Sequence, residues 1–409
     1  MPPATGLAAT ARKALAFGLA ALAACTKLAP ASDIIGTADG AMPTDCTPRR
    51  PPPRPTSPDG PDVSPFHFII RDVVLDQRDG RAWARIGFDL DGICTRSPNP
   101  MAECENAAVP TDGEDGIDNV FGQRIYPLFE VLQMGYQEAV REMHGEGRNA
   151  LFIGVHGWNG LPDDPHVEIW VATTVGTVAG AASDSGPPSV VFDDVGRPFF
   201  PGREPAPLPA WEGNDWAFVR SDSFADGRME PLLIVDNAYT VGGLFVARLP
   251  PRSEFLFFSS DRRPERLGRL LVSRVRLTDG TVVFRRTADG IHVSDGVLAG
   301  RWSVRDALST GNEVGVCEGS PLGTALADQF IALADVRATP PAPGEFLRCD
   351  ALSMGVAFGG TLVRFGGVVM GPSLPNVCAE LAADGGVPGA DAGTDDGGVP
   401  VSDAEVGDM

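Results

Sequence analysis

Through the middle of the chain, apolar residues alternate with polar ones or gather in short β-branched and aromatic runs. These are the marks of half-buried and buried strands, and they predict strands over residues 66–75, 83–90, 151–156, 167–175, 216–220, 232–235, 243–249 and 255–258. The clearest hairpin spans 271–284, where Asp279-Gly280 separates two such runs and offers the left-handed backbone of a tight turn. Asp289-Gly290 and Asp295-Gly296 carry the rhythm on through 291–298, predicting an antiparallel meander. Two stretches change the period. After Asp118, residues Phe121, Ile125, Leu128, Leu132, Gly135, Tyr136, Ala139 and Met143 recur at spacings of three and four, the stripe of a buried helix, with Pro127 at its regular start or at a kink. A second helix is predicted over 322–336, with Leu326, Phe330 and Leu333 inward. The expected fold class is β-rich α+β: an antiparallel β-sandwich-like domain with a few packed helices, flanked by a disordered tether and tail.

That domain occupies residues 66–380, long enough for one large core or two intimate ones. Residues 25–65 lack hydrophobic periodicity, and Pro48-Arg49-Arg50-Pro51-Pro52-Pro53-Arg54-Pro55 favours extended polyproline backbone, so this part reads as a tether. Its three arginines either touch anionic head groups or lie on a solvated spacer, the simpler reading. Residues 381–409 are mostly Asp, Gly, Ala and Val with no basic residue, the composition of a disordered acidic tail. At the other end, Arg12 and Lys13 precede an apolar run over 14–24, too short for the roughly 20 residues of a membrane span. Residues 1–24 therefore read as a signal peptide. The run closes in Leu22-Ala23-Ala24-Cys25, which resembles a bacterial lipobox, and the resemblance implies cleavage before Cys25 and lipid attachment to it. By the same resemblance, Thr26 in place of Asp points to the outer membrane, on its periplasmic or cell-surface face.

Charge narrows the choice of partners. The chain carries a net charge of −21, which becomes −23 once the two basic residues of the leader are removed. Such a chain repels nucleic acid; it suits cation binding and solubility. Of seven cysteines, setting Cys25 aside leaves Cys46, Cys94, Cys104, Cys317, Cys349 and Cys378. An even number without C-x-x-C spacing reads as disulfides of an oxidising compartment. The expected pairing joins Cys94 to Cys104 across a short loop, Cys317 to Cys349 across a helix, and Cys46 to Cys378 between the ends of the domain.

The densest candidate chemistry lies between two of these cysteines and the first helix. Asp89 and Asp91 precede Cys94; Asp112, Glu114, Asp115, Asp118 and Asn119 follow Cys104. A Cys94–Cys104 bridge would draw the two groups together into a set of oxygen ligands, which suits calcium, a hard ion that takes six to eight oxygens in irregular geometry. No histidine or thiolate joins the set, which disfavours zinc. The same residues also serve ordinary ends: Asp118 as a helix cap, Asp91-Gly92 and Asp112-Gly113 as turns, Glu114 and Asp115 as dipole partners. Both readings stay open. Elsewhere, Val155-His156-Gly157 is similar to the oxyanion region of α/β-hydrolases, but the G-x-S-x-G nucleophile turn is missing. Trp158, Trp170, Trp211, Trp216 and Trp302 could stack on sugars if they shared one face.

The lipobox, Gly87-Phe88-Asp89-Leu90-Asp91-Gly92, the strings DGEDGIDN (112–119), WEGNDWAF (211–218), GVLAGRW (296–302) and CDALSMG (349–355) together resemble predicted lipoproteins of unknown function from myxobacteria and similar bacteria. The resemblance covers most of 66–380 and implies no activity. The expectation is thus a lipid-anchored extracytoplasmic lipoprotein, a non-catalytic binding or structural module for a protein or glycan ligand, with a calcium site. The alternative is an extracytoplasmic hydrolase acting on glycans.

Overall fold

The computed structural model describes residues 46–57, 60–96, 102–106, 110–133, 135–180, 186–202, 204–225, 229–342 and 345–383. The expected leader, Cys25 and residues 384–409 of the expected tail lie outside the described residues. The β-rich expectation holds. Twelve strands follow in order: β1 (Phe66–Val74), β2 (Leu151–His156), β3 (Asp164–Val178), β4 (Val191–Phe192), β5 (Pro198–Phe199), β6 (Trp216–Arg220), β7 (Leu233–Val241), β8 (Leu244–Arg248), β9 (Ser253–Ser260), β10 (Leu270–Arg286), β11 (His292–Ser303) and β12 (Ala351–Val369). Strands β4 and β5 form a separate hairpin, and the other ten make one sheet.

Within that sheet β1 pairs with both β2 and β12, and β3 pairs with both β2 and β7. Continuing through β8, β10 and β11 back to β12, eight antiparallel strands close into a ring whose halves face each other across the core as the layers of a sandwich do. Alternation decides what points inward: Phe66, Phe68 and Ile70 from β1, Ile153 and Val155 from β2, Ile169 from β3, Phe245 from β8, Phe284 from β10 and Phe358 from β12 share one buried cluster. Phe68 meets Phe284 edge-on at 4.9 Å, and Phe245 stacks on Phe284 at 4.9 Å, so aromatic side chains fill the ring. Strand β6 lies outside it, bridging β3 and, in parallel, β12.

Five α-helices stand among the described residues: α1 (Tyr126–Leu132), α2 (Tyr136–Gly145), α3 (Val304–Glu313), α4 (Pro321–Leu333) and α5 (Val377–Ala383). The single helix expected after Asp118 is a π-helical turn (Phe121–Ile125), then α1, then a break where Gly135 takes φ +78°, then α2. Of the expected stripe, Phe121 and Ile125 enter the ring's core cluster, Tyr136 packs against it, Ala139 is buried and Met143 joins another cluster, while Leu128 is only half-buried; Tyr126 and Val140, outside the stripe, join the ring's core as well. Phe330 of α4 joins the same cluster beside Trp302.

Two strand expectations fail for local reasons. Residues 83–90 are not a strand: Asp79–Arg85 is a 3-10 turn, and the Asn119 amide holds the carbonyls of Trp83 and Ile86 at 3.3 and 2.8 Å. Nor does Asp279-Gly280 turn the chain. Strand β10 runs straight through it, with Asp279 at φ +49° absorbing one extra residue as a bulge against β11, because the two halves of β10 find separate partners in β9 and β8. Asp295 at φ +53° bulges β11 in the same way; the true turn is Asp289-Gly290.

The six cysteines form three disulfides, but none in the expected pairing: Cys46–Cys94, Cys104–Cys349 and Cys317–Cys378. Backbone pairing decides the second, since the Glu105 amide donates to Leu347 O at 2.8 Å and the Cys349 amide to Glu105 O at 3.1 Å. The first disulfide anchors the proline-rich stretch, which does not stand off the domain as a free tether. Tyr239 donates its hydroxyl to Pro52 O at 2.5 Å. The Arg54 guanidinium sits over the Tyr239 ring and donates to Pro165 O and Asn237 O, while Val63 N donates to Trp158 O at 2.8 Å. Of the arginines considered for lipid contact, Arg54 is thus engaged with protein, and Arg49 donates to Arg85 O at 2.9 Å.

Candidate metal centre

Three stretches of main chain converge on the acidic residues. The Asp118 amide donates to Phe88 O at 3.0 Å, joining the segment that follows the 3-10 turn to the one that precedes the π-helical turn. The strap lies between them: Arg49 N donates to Asp115 O and Arg49 O accepts from Asp89 N, both at 2.8 Å. Asp112 completes the frame, its amide donating to Thr95 O at 3.1 Å and its carboxylate accepting from Thr95 N at 2.5 Å. Backbone pairing, rather than a Cys94–Cys104 bridge, brings the two acidic groups together.

Asp89, Asp91 and Asp118 each offer a carboxylate oxygen, and these oxygens lie within 4.8 Å of one another. Asp89 is 6 % exposed and Asp118 4 % exposed. Asp89 Oδ1 accepts from Gly92 N at 2.5 Å, whereas its Oδ2 is buried with no hydrogen-bond partner among the described residues. Asp118 Oδ2 accepts from Leu90 N at 2.7 Å. Gly116, at φ +71°, lets the chain pass close by: a Cβ there would sit 2.9 Å from Cys94 Sγ and 3.5 Å from Asp89 Oδ2. An unsolvated, unpaired carboxylate oxygen is costly, and here it faces two further carboxylates.

Electrostatics express the same conflict. Burial pushes Asp91 up to about 7, with Asp89 and Glu103 adding and Arg301 opposing. Burial, then Asp91 and Asp335, push Asp112 up to about 8. Asp118 is raised well above the carboxylate range, by burial first and by Asp91, Asp112 and Asp335 after it, and Asp89 is raised by burial. The nearest buried cation, Arg301, is 1 % exposed but already committed: it binds Glu103 at 2.6 Å and the carbonyls of Leu90 and Arg337. Arg50, lying over Gly92, is the other positive charge acting on the group.

Of the seven expected ligands, the structure gathers Asp89, Asp91 and Asp118, with Asp112 hydrogen-bonded to Asp118. It places the other three elsewhere. Glu114 is exposed and faces Arg85 at 3.6 Å, and Asp115 is exposed in the left-handed region at φ +54°. Asn119 is buried but fully used, donating to Gln77 Oε1 and Ile86 O at 2.8 Å and accepting from Gly122 N and Gly355 N at 3.0 Å. Sequence reasoning missed Asp335, which accepts from Ser353 N and Oγ, and Glu103 with Arg301. Only long-range folding places these, and no local spacing marks them. The tryptophans do not share a face: Trp302 lies in the ring core, Trp170 in an outer cluster with Trp211, and Trp216 in another.

The two grooves found, about 780 Å³ between α3 and α4 and about 480 Å³ beside Trp216, are lined by other segments. Fold and site together define a closed β ring with a buried aspartate cluster able to hold a metal ion. No family model matches the chain, and neither a curated protein nor a solved structure is found that resembles it.

Proposed function

We propose that the protein is a lipid-anchored extracytoplasmic module, attached through Cys25 to the outer membrane, whose β domain is stapled by a calcium ion at Asp89, Asp91, Asp112 and Asp118. The observation that carries the metal reading is the Asp89 Oδ2 atom, buried without a donor and facing two more carboxylates. An all-carboxylate donor set favours a hard divalent ion, and water would fill the rest of a calcium shell. The role is structural. The ion would join loop to loop and lies apart from either groove, so the surface it stiffens serves a protein or glycan ligand without catalysis. The leader, the lipobox and three disulfides support the compartment, where calcium is plentiful enough for a weak site.

Thermal unfolding with millimolar calcium and with chelator tests this. A site of extracellular affinity should stabilise the fold by about 1–3 kcal/mol, a rise of several degrees. Asp89→Asn should abolish the rise and Asp115→Ala should retain it; a melting temperature indifferent to calcium overturns the proposal. Cys25→Ser should release the protein from the membrane fraction, and retention there would overturn the anchor.

A further inference from the structure

Three adjacent strands carry a second constellation on the outer face of the ring. Phe66, Phe68, Val155 and Ile169 point inward, so His67, His156 and Glu168, their neighbours along β1, β2 and β3, point outward. Register aligns them. His67 pairs with Gly154, Gly154 with Trp170, and His156 with Glu168, which places His156 diagonal to His67 and directly opposite Glu168.

The rings are held by aromatic packing rather than by hydrogen bonds. His67 stacks on Phe152 at 5.3 Å, and the Trp170 indole lies 5.7 Å from His67 and 5.5 Å from His156. Gly154 makes room for that indole: a Cβ there would meet Trp170 Cε2 at 2.3 Å. The centroids of His67 and His156 are 5.6 Å apart. Two imidazoles bound to one tetrahedral ion at about 2.0–2.1 Å have centroids about 5 Å apart, close to the separation here. His156 Nε2 is buried with no hydrogen-bond partner among the described residues, and the Glu168 charge acts on the same ring.

The geometry points to a divalent transition-metal site, for zinc or copper, built from His67, His156 and Glu168 and backed by Trp170. Imidazole nitrogens suit these ions as the all-aspartate cluster does not, and an apolar aromatic wall limits competing water. The inference does not rest on the calcium reading.

The test is zinc titration of the calcium-saturated protein by calorimetry, with electron paramagnetic resonance of the copper-loaded protein alongside. One equivalent of zinc should bind with micromolar or tighter affinity. His67→Gln or His156→Asn should weaken binding by at least the roughly 10–100-fold that loss of an outer partner costs. Copper should show coupling to two imidazole nitrogens in the wild type and to one in either variant, whereas replacing the exposed His292, as His292→Gln, leaves both readouts unchanged. Absence of nitrogen coupling in the wild type would overturn the site without any variant needing to fold. So would zinc binding that survives both histidine variants or depends on His166 instead.

Discussion

The amide of Asp89 donates to the carbonyl of Arg49 at 2.8 Å, so a residue of the aspartate cluster hangs from a segment that the sequence presents as a spacer. The Arg49 amide in turn holds Asp115 O, and Cys46–Cys94 fixes the strap three residues before Arg49 and the loop five residues after Asp89. The strap is therefore the third wall of the candidate metal centre.

The Cys46→Ser/Cys94→Ser double variant follows from that wall. It leaves no free thiol and removes the covalent hold on both strap and loop. Its calcium affinity should fall relative to wild type, and by linkage calcium should shift the thiol–disulfide equilibrium toward the native disulfide. Calorimetric titration checks the first effect and thiol release in a mild reductant the second. Equal affinities in the two proteins would mean that the strap does not shape the site.

Without calcium, stability should fall as pH rises. Asp91 and Asp112 have folded values of about 7 and about 8 against an ordinary 3.8. Between pH 4 and 8 the native state thus binds more protons than the unfolded chain; the stabilisation is complete below 3.8 and lost as pH passes through the folded values. The slope is on the order of 1 kcal/mol per pH unit for each extra proton held. Urea unfolding in chelator at pH 5, 6.5 and 8 reads it out. Asp118→Asn should flatten the slope, and calcium should reverse the loss at pH 8.

His144 contributes with the opposite sign. It is 3 % exposed near the end of α2, with Nδ1 3.3 Å from Arg71 O, and burial lowers it from 6.5 to about 4. Between these values the unfolded state takes up the proton first, so this residue's share of stability is full above 6.5 and is lost as pH falls toward 4, by up to about 3 kcal/mol. The difference between wild type and His144→Gln, measured across that window in the same buffer, isolates the effect. A difference independent of pH would show that the ring is not held neutral.

How far the sequence reads depends on the range of the interaction that decides each feature. Short, almost wholly apolar runs mark β2 and β6 to the residue, because burial on both faces is a property of each strand's own composition. The Asp279-Gly280 turn misreads because left-handed backbone serves a bulge as readily as a hairpin, and the choice belongs to the β8 and β9 partners. Asp89, Asp91, Asp112 and Asp118 are legible as local charge density. Asn119 misleads, since its side chain serves the backbone of Ile86 and Gly355 instead of a ligand. Asp335 and Arg301 are invisible from the sequence because a distant strand, β11, carries Arg301 to the cluster and the segment after α4 carries Asp335. The disulfide partners obey the same limit: the chain crosses from Cys104 to Cys349 only once β12 is in place.

The seam of the ring governs when the domain can exist at all. Ile70 meets Gly360 across the β1–β12 pairing, so the first strand waits for the last before it gains its second neighbour. Contacts so distant along the chain delay the folding barrier until nearly the whole polypeptide is present. A ribosome partway through the message holds a chain that cannot yet close, and its apolar strands stay open to chaperones until β12 emerges.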